Sequence, residues 1–372
     1  MLFNLLFPLA DSFGPFNLFR YLTFRTGGAV ITALVLSFIL GPPIIRWLKS
    51  RQGEGQPIRD DGPEGHPLTK KGTPTMGGLA IVGGAFLGYV LSDLYRGIYT
   101  RSGIFVMLAI IGAGAVGLVD DWIKVVRERS LGLSKRAKML GLFGVAAAFA
   151  VLMLEHAPTH TQLSFTRFDQ PGLEMGSALW AVWAVLLITG SANAVNLTDG
   201  LDGLAAGAGT FCFGAYTVVG FWQFRYPETY DVAHALDLAV VAAAMAGGCL
   251  GFLWWNAAPA RIFMGDTGSL AIGTGLAALA LATNTHLLLP VVAGLFVVET
   301  VSVILQVGSY RLFGGRRVFR MAPIHHHFEL GGLPETTVII RFWIMSGLCT
   351  AVGLGIFYAD SIATGVTGMI GQ

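Results

Sequence analysis

The sequence predicts an all-α, polytopic integral membrane protein, and three observations support that prediction. Hydrophobic residues make up 54% of the 372 residues and charged residues only 12%, whereas soluble proteins carry about 25% charged residues. The hydrophobic residues also fall in long runs, which are typical of membrane-spanning helices once they reach about 18 residues. The polar residues that could carry chemistry are concentrated in a few short segments between those runs.

Ten apolar runs predict ten transmembrane helices within a single integral membrane domain that covers residues 1–372. The apolar segment before them is interrupted by Pro8, Asp11 and Pro15 and lacks the features of a signal peptide, so it is interpreted as an interfacial segment. The predicted spans are 26–47, 75–95, 103–120, 137–155, 176–196, 201–222, 233–254, 268–283, 286–307 and 338–360.

Basic residues are distributed unevenly between the two sets of connecting loops, and this asymmetry orients the chain. One set contains dense groups such as Lys70 with Lys71 and Arg316 with Arg317, whereas the opposite set contains isolated arginines. Cytoplasmic loops carry an excess of Lys and Arg, so the first set is predicted to be cytoplasmic and both termini periplasmic. Because the basic residues are spread over separate short loops, the net charge of +2 does not indicate nucleic-acid binding.

Two acidic motifs are predicted to lie at the cytoplasmic boundary of the membrane. Asp120 and Asp121 end the third predicted span. Such a pair binds a divalent cation, acts as a base, or forms a helix-end cluster, here with Lys124 and Arg127. Asp266 lies between glycines at the start of the eighth span. A residue in that position, or the threonine that follows it, either caps the helix or belongs to a metal and phosphate site.

The turn between the fifth and sixth spans is rich in potential oxygen ligands. It contains Asn196, Asp199 and Asp202 within the sequence NLTDGLDG. A plain connection between two helices needs only one Asn or Asp as a cap, so this density favours a functional role. The spacing differs from that of an EF-hand loop, which argues against calcium sensing.

Two further polar segments carry side chains suited to phosphate. The last predicted cytoplasmic loop contains His325, His326 and His327. Consecutive side chains point in different directions, so one or two of these histidines, rather than all three, are predicted to contact phosphate oxygens. The loop before the second span contains Lys70 and Thr75, which could bind phosphate or a nucleobase edge, although its composition is also that of an ordinary solvated loop.

These polar groups all map to the same predicted face of the membrane, which favours an enzyme. Carboxylates beside basic groups suit a magnesium ion and phosphates. A secondary transporter would instead place ionisable residues near the bilayer midplane. Here only Glu299 lies well inside a predicted span, and it is interpreted as a buried carboxyl group bonded to a neighbouring helix. A scaffold or lipid-binding protein would not need so many metal-type ligands.

The ordered motifs resemble those of the polyprenyl-phosphate N-acetylhexosamine-1-phosphate transferases. Three of them, VDD at 119–121, NLTDGLDG at 196–203 and FMGDTGSL at 263–270, are similar to motifs of the whole superfamily. Two others resemble the phospho-N-acetylmuramoyl-pentapeptide transferase branch in particular, namely DGPEGHPLTKKGTPTMGG at 61–78 and MAPIHHHFE at 321–329. The resemblance extends over essentially the whole chain.

The resemblance implies a magnesium-dependent reaction in the bacterial cytoplasmic (inner) membrane. Phospho-N-acetylmuramoyl-pentapeptide would pass from UDP-N-acetylmuramoyl-pentapeptide to undecaprenyl phosphate, with UMP released, in the first membrane step of peptidoglycan biosynthesis. A homodimer in contact with membrane lipids is also implied. A sibling enzyme that transfers N-acetylglucosamine-1-phosphate is the alternative within the superfamily. Direct attack by the lipid phosphate is favoured, and a covalent phospho-aspartate intermediate remains the other possible route.

Individual roles follow from the same resemblance. Asp266 resembles the magnesium ligand of the family, and Asp120 and Asp121 resemble its essential carboxylate pair. The further catalytic residues that the resemblance implies are Asp199, His325 and His326. The residues that it implies around the nucleoside and diphosphate are Lys70, Thr75, Asn196, Asp202, Asn256 and Phe263. The loop 323–329 is expected to recognise the sugar and its peptide, since it resembles the muramoyl-pentapeptide branch alone.

Overall fold

Long α-helices make up most of the chain, as the apolar runs predict. The computed structural model describes residues 6–52, 72–93, 99–127 and 132–363. The helices, in chain order, are α1 Leu22–Gln52, α2 Gly78–Asp93, α3 Arg101–Val126, α4 Lys135–His156, α5 Gly176–Thr198, α6 Leu204–Arg225, α7 Ala235–Asn256, α8 Gly265–Ala282, α9 Gly294–Leu312, α10 Ile324–Glu329 and α11 Glu335–Ala363. Short helical turns lie at Phe7–Leu9, Gly14–Arg20, Pro227–Tyr230 and Leu289–Val292.

Eight of the described helices are long and apolar enough to cross a membrane, namely α1, α3, α4, α5, α6, α7, α9 and α11. The other two predicted spans, 75–95 and 268–283, coincide with α2 and α8, which are helical but do not belong to those eight. Helix α2 has only 16 residues, and α8 is enclosed by other helices along almost its whole length. The chain is therefore a helical multi-pass membrane protein, while the count of ten spans and the periplasmic termini stay predictions.

Two helix boundaries differ from the sequence-based expectation. Helix α3 continues to Val126, so Asp120 and Asp121 lie more than a turn before its end rather than at the end of the span. The ninth span was predicted to begin at 286, but α9 begins at Gly294, after the short turn Leu289–Val292. The chain leaves helical geometry at Ala293, between the turn and α9.

A small β-hairpin interrupts the otherwise helical architecture and was not predicted. Its strands are β1 Gln162–Arg167 and β2 Gln170–Glu174, which pair antiparallel. Hydropathy gives no signal for it because the strands are short and mixed in polarity. The hairpin contacts the segment between α8 and α9, where the backbone N–H of Leu287 donates to the carbonyl of Ser164 over 3.0 Å.

Helix α8 is the element around which the polar groups assemble, and two glycines allow its neighbours to approach closely. A Cβ atom on Gly117 of α3 would overlap the carbonyl oxygen of Asp266 at the start of α8. A Cβ atom on Gly273 of α8 would overlap the backbone of α5 at Ser191. Glycine at these positions lets the helix backbones touch. The close packing brings the carboxylates of α3 and the last turn of α5 to the first turn of α8.

Candidate active site

Three acidic side chains from two helices converge to form the centre of the site. Asp120 and Asp121 come from α3, and Asp266 comes from the first turn of α8. One carboxylate oxygen from each lies within 4.8 Å of the other two, and the three residues are only 3%, 0% and 8% exposed. Burial of three negative charges at such separations is unfavourable unless cations or hydrogen-bond donors compensate them.

Two lysines provide part of that compensation. The Nζ of Lys124 lies 2.6 Å from Oδ2 of Asp120, 3.3 Å from Oδ1 of Asp121 and 2.9 Å from Oδ2 of Asp266. The Nζ of Lys138, on α4, lies 2.8 Å from the same oxygen of Asp266. Two ammonium groups thus face three carboxylates, which leaves an excess of negative charge. The sequence offers a cluster of the aspartates with Lys124 and Arg127 as one alternative. The structure shows the contact with Lys124, and among the described residues the second cation is Lys138 rather than Arg127.

Asp121 holds the first turn of α8 in place. Its carboxylate accepts hydrogen bonds from the backbone N–H of Asp266 over 3.2 Å and of Thr267 over 3.0 Å. It also accepts one from the Thr267 hydroxyl over 2.8 Å. Neither Asp266 nor Thr267 is the N-cap of this helix, because a carboxylate from α3 accepts from the N–H groups of the first turn. Asp121 consequently also fixes the position of Asp266.

Asn196 orients the other side of Asp266. The Asn196 side-chain amide donates to Oδ1 of Asp266 over 2.5 Å and to Oγ of Ser269 over 2.9 Å. Asn196 lies in the last turn of α5, just before the turn that carries Asp199 and Asp202. The sequence-based grouping of Asn196 with Asp266 near one site is thus seen in the structure, although the contact is to the carboxylate and its nucleotide-binding role stays a prediction.

The segment before α2 packs against the segment before α8. The backbone N–H of Phe263 donates to the carbonyl of Pro74, and the N–H of Gly77 donates to the carbonyl of Phe263, both over 2.8 Å. Thr75 is fully buried between them, and its hydroxyl has no hydrogen-bond partner among the described residues. A Cβ atom on Gly265 would lie 2.7 Å from that hydroxyl. Thr75 therefore joins the carboxylate cluster, whereas Lys70 lies outside the described residues.

The histidine segment forms the short helix α10 and divides its three side chains. Nδ1 of His325 lies 3.1 Å from Oε2 of Glu299, and Nδ1 of His326 lies 2.6 Å from Oε2 of Glu329. His327 points elsewhere, and its Nδ1 accepts the backbone N–H of Arg320 over 3.1 Å. The Nδ1 atoms of the three histidines thus have three different partners, and the predicted contact of one or two of these side chains with phosphate stays a prediction.

The turn that contains Asp199 lies directly against α10. A Cβ atom on Gly200 would overlap Nε2 of His325 and would lie 3.4 Å from Nε2 of His326. Asp199 ends α5 immediately before this glycine. The turn that follows Asp199 thus meets His325 and His326, and Asn196 links the start of the same turn to the carboxylate cluster. The catalytic roles of Asp199, His325 and His326 stay predictions.

Asp202 and Asn256 contact the loop that connects α7 to α8. Oδ2 of Asp202 accepts the backbone N–H of Ala260 over 2.9 Å. The Asn256 amide donates to the carbonyl of Ile262 over 2.9 Å, while its Oδ1 is buried without a hydrogen-bond partner among the described residues. Both side chains shape the loop that leads into Phe263. Their contact with substrate stays a prediction.

The sequence-based reasoning missed Lys138 as a member of the site and did not foresee how Lys124 bridges the two acidic motifs. Lys124 carries a recognisable signal, since it lies four residues after Asp120 and three after Asp121 on one helix, which places all three on neighbouring positions of its surface. Lys138 carries no such signal. It reaches Asp266 only because α4 packs beside α3.

The cluster fits a hard divalent cation. Its donors are carboxylate oxygens with no sulfur or imidazole among them, which is the ligand set that Mg²⁺ prefers over softer metals. The contact of Lys124 with all three carboxylates marks a position where positive charge is strongly favoured. Asp120, Asp121 and Asp266 are the residues that would hold such an ion.

Comparisons with known proteins identify the family to which the chain is similar. A family model described as glycosyl transferase family 4 matches residues 103–284, which include the carboxylate cluster. A signature described as phospho-N-acetylmuramoyl-pentapeptide-transferase signature 1 matches residues 70–82. Proteins named phospho-N-acetylmuramoyl-pentapeptide-transferase are 50% identical in Streptomyces griseus, over 86% of this chain and 94% of the relative, and 51% identical in Frankia alni, over 91% and 98%. The protein of that name in Thermobifida fusca is 52% identical over 88% and 96%.

Proposed function

The chain belongs to the phospho-N-acetylmuramoyl-pentapeptide-transferase family, and we propose on that premise that it is the enzyme that forms lipid I. It transfers phospho-N-acetylmuramoyl-pentapeptide from UDP-N-acetylmuramoyl-pentapeptide to undecaprenyl phosphate and releases UMP. The observation that carries the proposal is the buried cluster of Asp120, Asp121 and Asp266, which two lysines compensate only in part. Such a site can hold a divalent cation, which together with the lysines would neutralise phosphates.

The reaction requires two anionic phosphates to approach each other. An oxygen of the lipid phosphate attacks the phosphorus that bears the sugar, and the bond from that phosphorus to the bridging oxygen of UMP breaks. Lys124 and Lys138 supply positive charge where the groups meet, and Nε2 of His325 and His326 can donate to phosphate oxygens. A magnesium ion held by the three carboxylates would add charge stabilisation for the diphosphate and the leaving UMP.

Direct attack is the mechanism that we favour over a covalent intermediate on an aspartate. The carboxylate of Asp121 accepts from three donors of α8 and is fully buried, so it is poorly placed to act as a nucleophile. The carboxylate of Asp120 accepts the backbone N–H of Leu133 over 2.7 Å and pairs with Lys124. The lipid phosphate is already an anion, so it needs positioning more than activation, and Asp120 would accept any residual proton.

An apolar pocket beside the histidine helix supports the lipid half of the proposal. It has a volume of about 260 Å³ and lies between α9, α10 and α11. Its lining residues are Val298, Ile324, Phe328, Leu333, Val338, Arg341, Phe342 and Met345. A single basic side chain among apolar ones is suited to a lipid that carries an anionic head group. The soluble nucleotide-sugar would reach the same region from the cytoplasm.

The proposal also covers the location, the topology and the assembly of the chain. The chain would lie in the cytoplasmic membrane of a bacterium with ten spans, periplasmic termini and a cytoplasmic active site, as the distribution of basic residues favours. It would act as a homodimer, as its resemblance to the family implies. Cysteine labelling from outside intact cells should miss positions 124, 199, 266 and 326. Labelling at any of these positions would show that the predicted topology is wrong there.

The activity can be tested directly with purified protein. UMP release and the lipid product are measured with undecaprenyl phosphate and either UDP-N-acetylmuramoyl-pentapeptide or UDP-N-acetylglucosamine. A preference of about 10⁴-fold for the first donor is expected, because a site built to bind polar groups discriminates strongly against a substrate that lacks them. Addition of a chelator should stop the reaction and magnesium should restore it. Comparable turnover of the two donors would transfer the assignment to the sibling enzyme.

A further inference from the structure

Glu299 is a fully buried acidic residue to which the proposed mechanism gives no role. We propose, on the basis of the proposed transferase activity, that Glu299 is a positioning residue that holds the imidazole of His325 so that its Nε2 faces the Asp199–Gly203 turn. The carboxylate does not contact substrate in this proposal. It acts through His325 and through the placement of α10.

The first support is the burial of the pair. Both side chains are completely inaccessible to solvent, and Oε2 of Glu299 lies 3.1 Å from Nδ1 of His325. At this distance the two groups are in direct polar contact, although they lack the alignment of a hydrogen bond. A carboxylate that is buried in this way is retained only where a partner compensates its charge. The described residue that pairs with Glu299 is His325.

The position of α9 explains how a residue in a membrane helix reaches the histidine helix. The start of α9 lies beside the middle of α11, where a Cβ atom on Gly294 would lie 2.7 Å from Sγ of Cys349. Helix α11 begins at Glu335, shortly after the histidine helix. Glu299 follows Gly294 by little more than a turn, so it lies between the middle of the bundle and the predicted cytoplasmic side. Its early position within α9 therefore does not place it at the outer surface.

The second support is the direction of the remaining ring nitrogen. With Nδ1 beside the carboxylate, the Nε2 of His325 is directed at Gly200, where a Cβ atom would overlap it. This Nε2 is buried and has no hydrogen-bond partner among the described residues. A carboxylate next to one imidazole nitrogen favours a proton on that nitrogen and fixes the orientation of the ring. The hydrogen-bonding role of the other nitrogen is thereby set.

The third support is that the arrangement is repeated in the neighbouring histidine. His326 has Glu329 at its Nδ1, and its Nε2 also faces Gly200. The two rings lie with their centroids 4.1 Å apart. Glu329 belongs to α10 itself, whereas Glu299 belongs to α9, so the contact with Glu299 ties the ring pair to a membrane helix. The two Nε2 atoms together form a pair of donors aimed at one turn.

The central experiment compares Glu299→Gln with wild type in steady-state kinetics. Gln keeps the shape of the side chain but removes its charge. The expected result is a fall in kcat of about 10- to 100-fold, typical for loss of a residue that orients a functional histidine, with the KM of both substrates within twofold. Glu299→Asp, which retains the charge, should recover part of the lost kcat. A normal kcat in Glu299→Gln would overturn the proposal.

A double-substitution experiment separates positioning from general stabilisation. If Glu299 acts through His325, then Glu299→Gln should lower kcat less than twofold in the His325→Asn background. Independent, multiplicative losses would overturn the proposal. The matched control is Asp237→Asn, since Asp237 is also a buried carboxylate of a membrane helix but accepts its hydrogen bonds from Tyr89 and Thr100 at the opposite end. It should leave kcat unchanged.

A spectroscopic measurement tests the proposal without relying on activity. ¹⁵N-labelled histidine in the full-length protein reports which ring nitrogen of His325 is protonated, with His325→Asn used to assign the signal. Wild type should show a proton on Nδ1, and Glu299→Gln should change that signal while the signals of His327 stay in place. An unchanged His325 signal would overturn the proposal. Failure of wild type to make the lipid product would overturn the proposed function instead, and this signal would still decide the role of Glu299.

Discussion

Two buried acidic regions at opposite ends of the helical bundle differ in how their charge is compensated. At one end, Oδ2 of Asp237 accepts from the Tyr89 hydroxyl and from both the backbone N–H and hydroxyl of Thr100. At the other end, three carboxylates share two lysines. The first region joins α7 to α2 and α3 with neutral donors. The second region holds more negative charge than its two lysines compensate.

The difference in charge compensation separates a functional acidic group from a structural one in a membrane protein. A single carboxylate bonded to the N-cap residue of a neighbouring helix links the two helices and stabilises the fold. A cluster of like charges costs free energy in the folded state, and it persists where binding of an anion or a cation uses it. Substitutions in the two regions should therefore differ in how much activity they remove.

Substitution of Asp266 should have the largest effect. Asp266→Asn removes the charge that both lysines contact, and it should lower kcat by about a thousandfold or more, because interactions with a charged transition state at a metal site contribute several kcal/mol. UMP release in detergent measures the rate, and thermal unfolding verifies that the protein is folded. Near-normal activity in this variant would remove Asp266 from the site and would make the two acidic regions equivalent.

Substitution of Lys138 should follow. Lys138→Met keeps the length of the side chain and removes one of the two compensating charges, so kcat should fall by about 100-fold, as for loss of one donor to a developing oxyanion. The neighbouring Arg136 on the same helix is exposed, and Arg136→Met should change kcat less than twofold. Equal losses in the two variants would indicate that general positive charge, rather than the contact with Asp266, matters.

Removal of the Thr267 hydroxyl should have a moderate effect. Thr267→Val deletes one hydrogen bond to the charged Asp121 and should lower kcat by about tenfold, in line with the free energy of a hydrogen bond to a charged group. Thr274→Val on the same helix is the control, since the buried hydroxyl of Thr274 has no hydrogen-bond partner among the described residues. Initial rates at saturating substrate distinguish the two. An unaffected Thr267→Val would mean that Asp121 needs no help in orienting α8.

Substitution of Asp237 should have the smallest effect on activity. Asp237→Asn weakens the hydrogen bonds to Thr100 and Tyr89, so the protein should lose about 1–3 kcal/mol of stability, seen as a lower midpoint of thermal unfolding. Its kcat per folded molecule should stay within twofold of wild type. A specific loss of kcat at unchanged stability would contradict the assignment of this region to structure alone.

Several features of the fold were predictable because they depend on local composition. A helix in lipid must satisfy its own backbone and present apolar side chains over about 20 residues. For that reason eight predicted spans coincide with helices of the required length and hydropathy. The short β-hairpin after α4 was missed, since its strands depend on pairing with each other and carry no distinctive hydropathy. The late start of α9 was missed for a similar reason, because the apolar run 286–307 continues across the break.

The residues of the candidate site could be predicted from the sequence better than the contacts between them. Asp120, Asp121 and Asp266 stand in distinctive motifs, and the structure brings them together. The function of Asp121 as the residue that accepts from the first turn of α8 was not predictable, since its partners lie 145 and 146 positions further along the chain. The same holds for Lys138 and for the pairing of Glu299 with His325.

The amino-acid sequence alone establishes that the chain is a multi-pass membrane protein, where eight long apolar helices lie, which polar residues are available for chemistry and which family the chain belongs to. These properties depend on composition and on ordered motifs, and both can be read without knowledge of contacts. Only the tertiary structure decided which carboxylate meets which lysine and which histidine meets Glu299. Those pairs depend on how closely the helices pack, and close packing is set by small residues such as Gly117 and Gly273, whose effect appears only when another helix backbone lies against them.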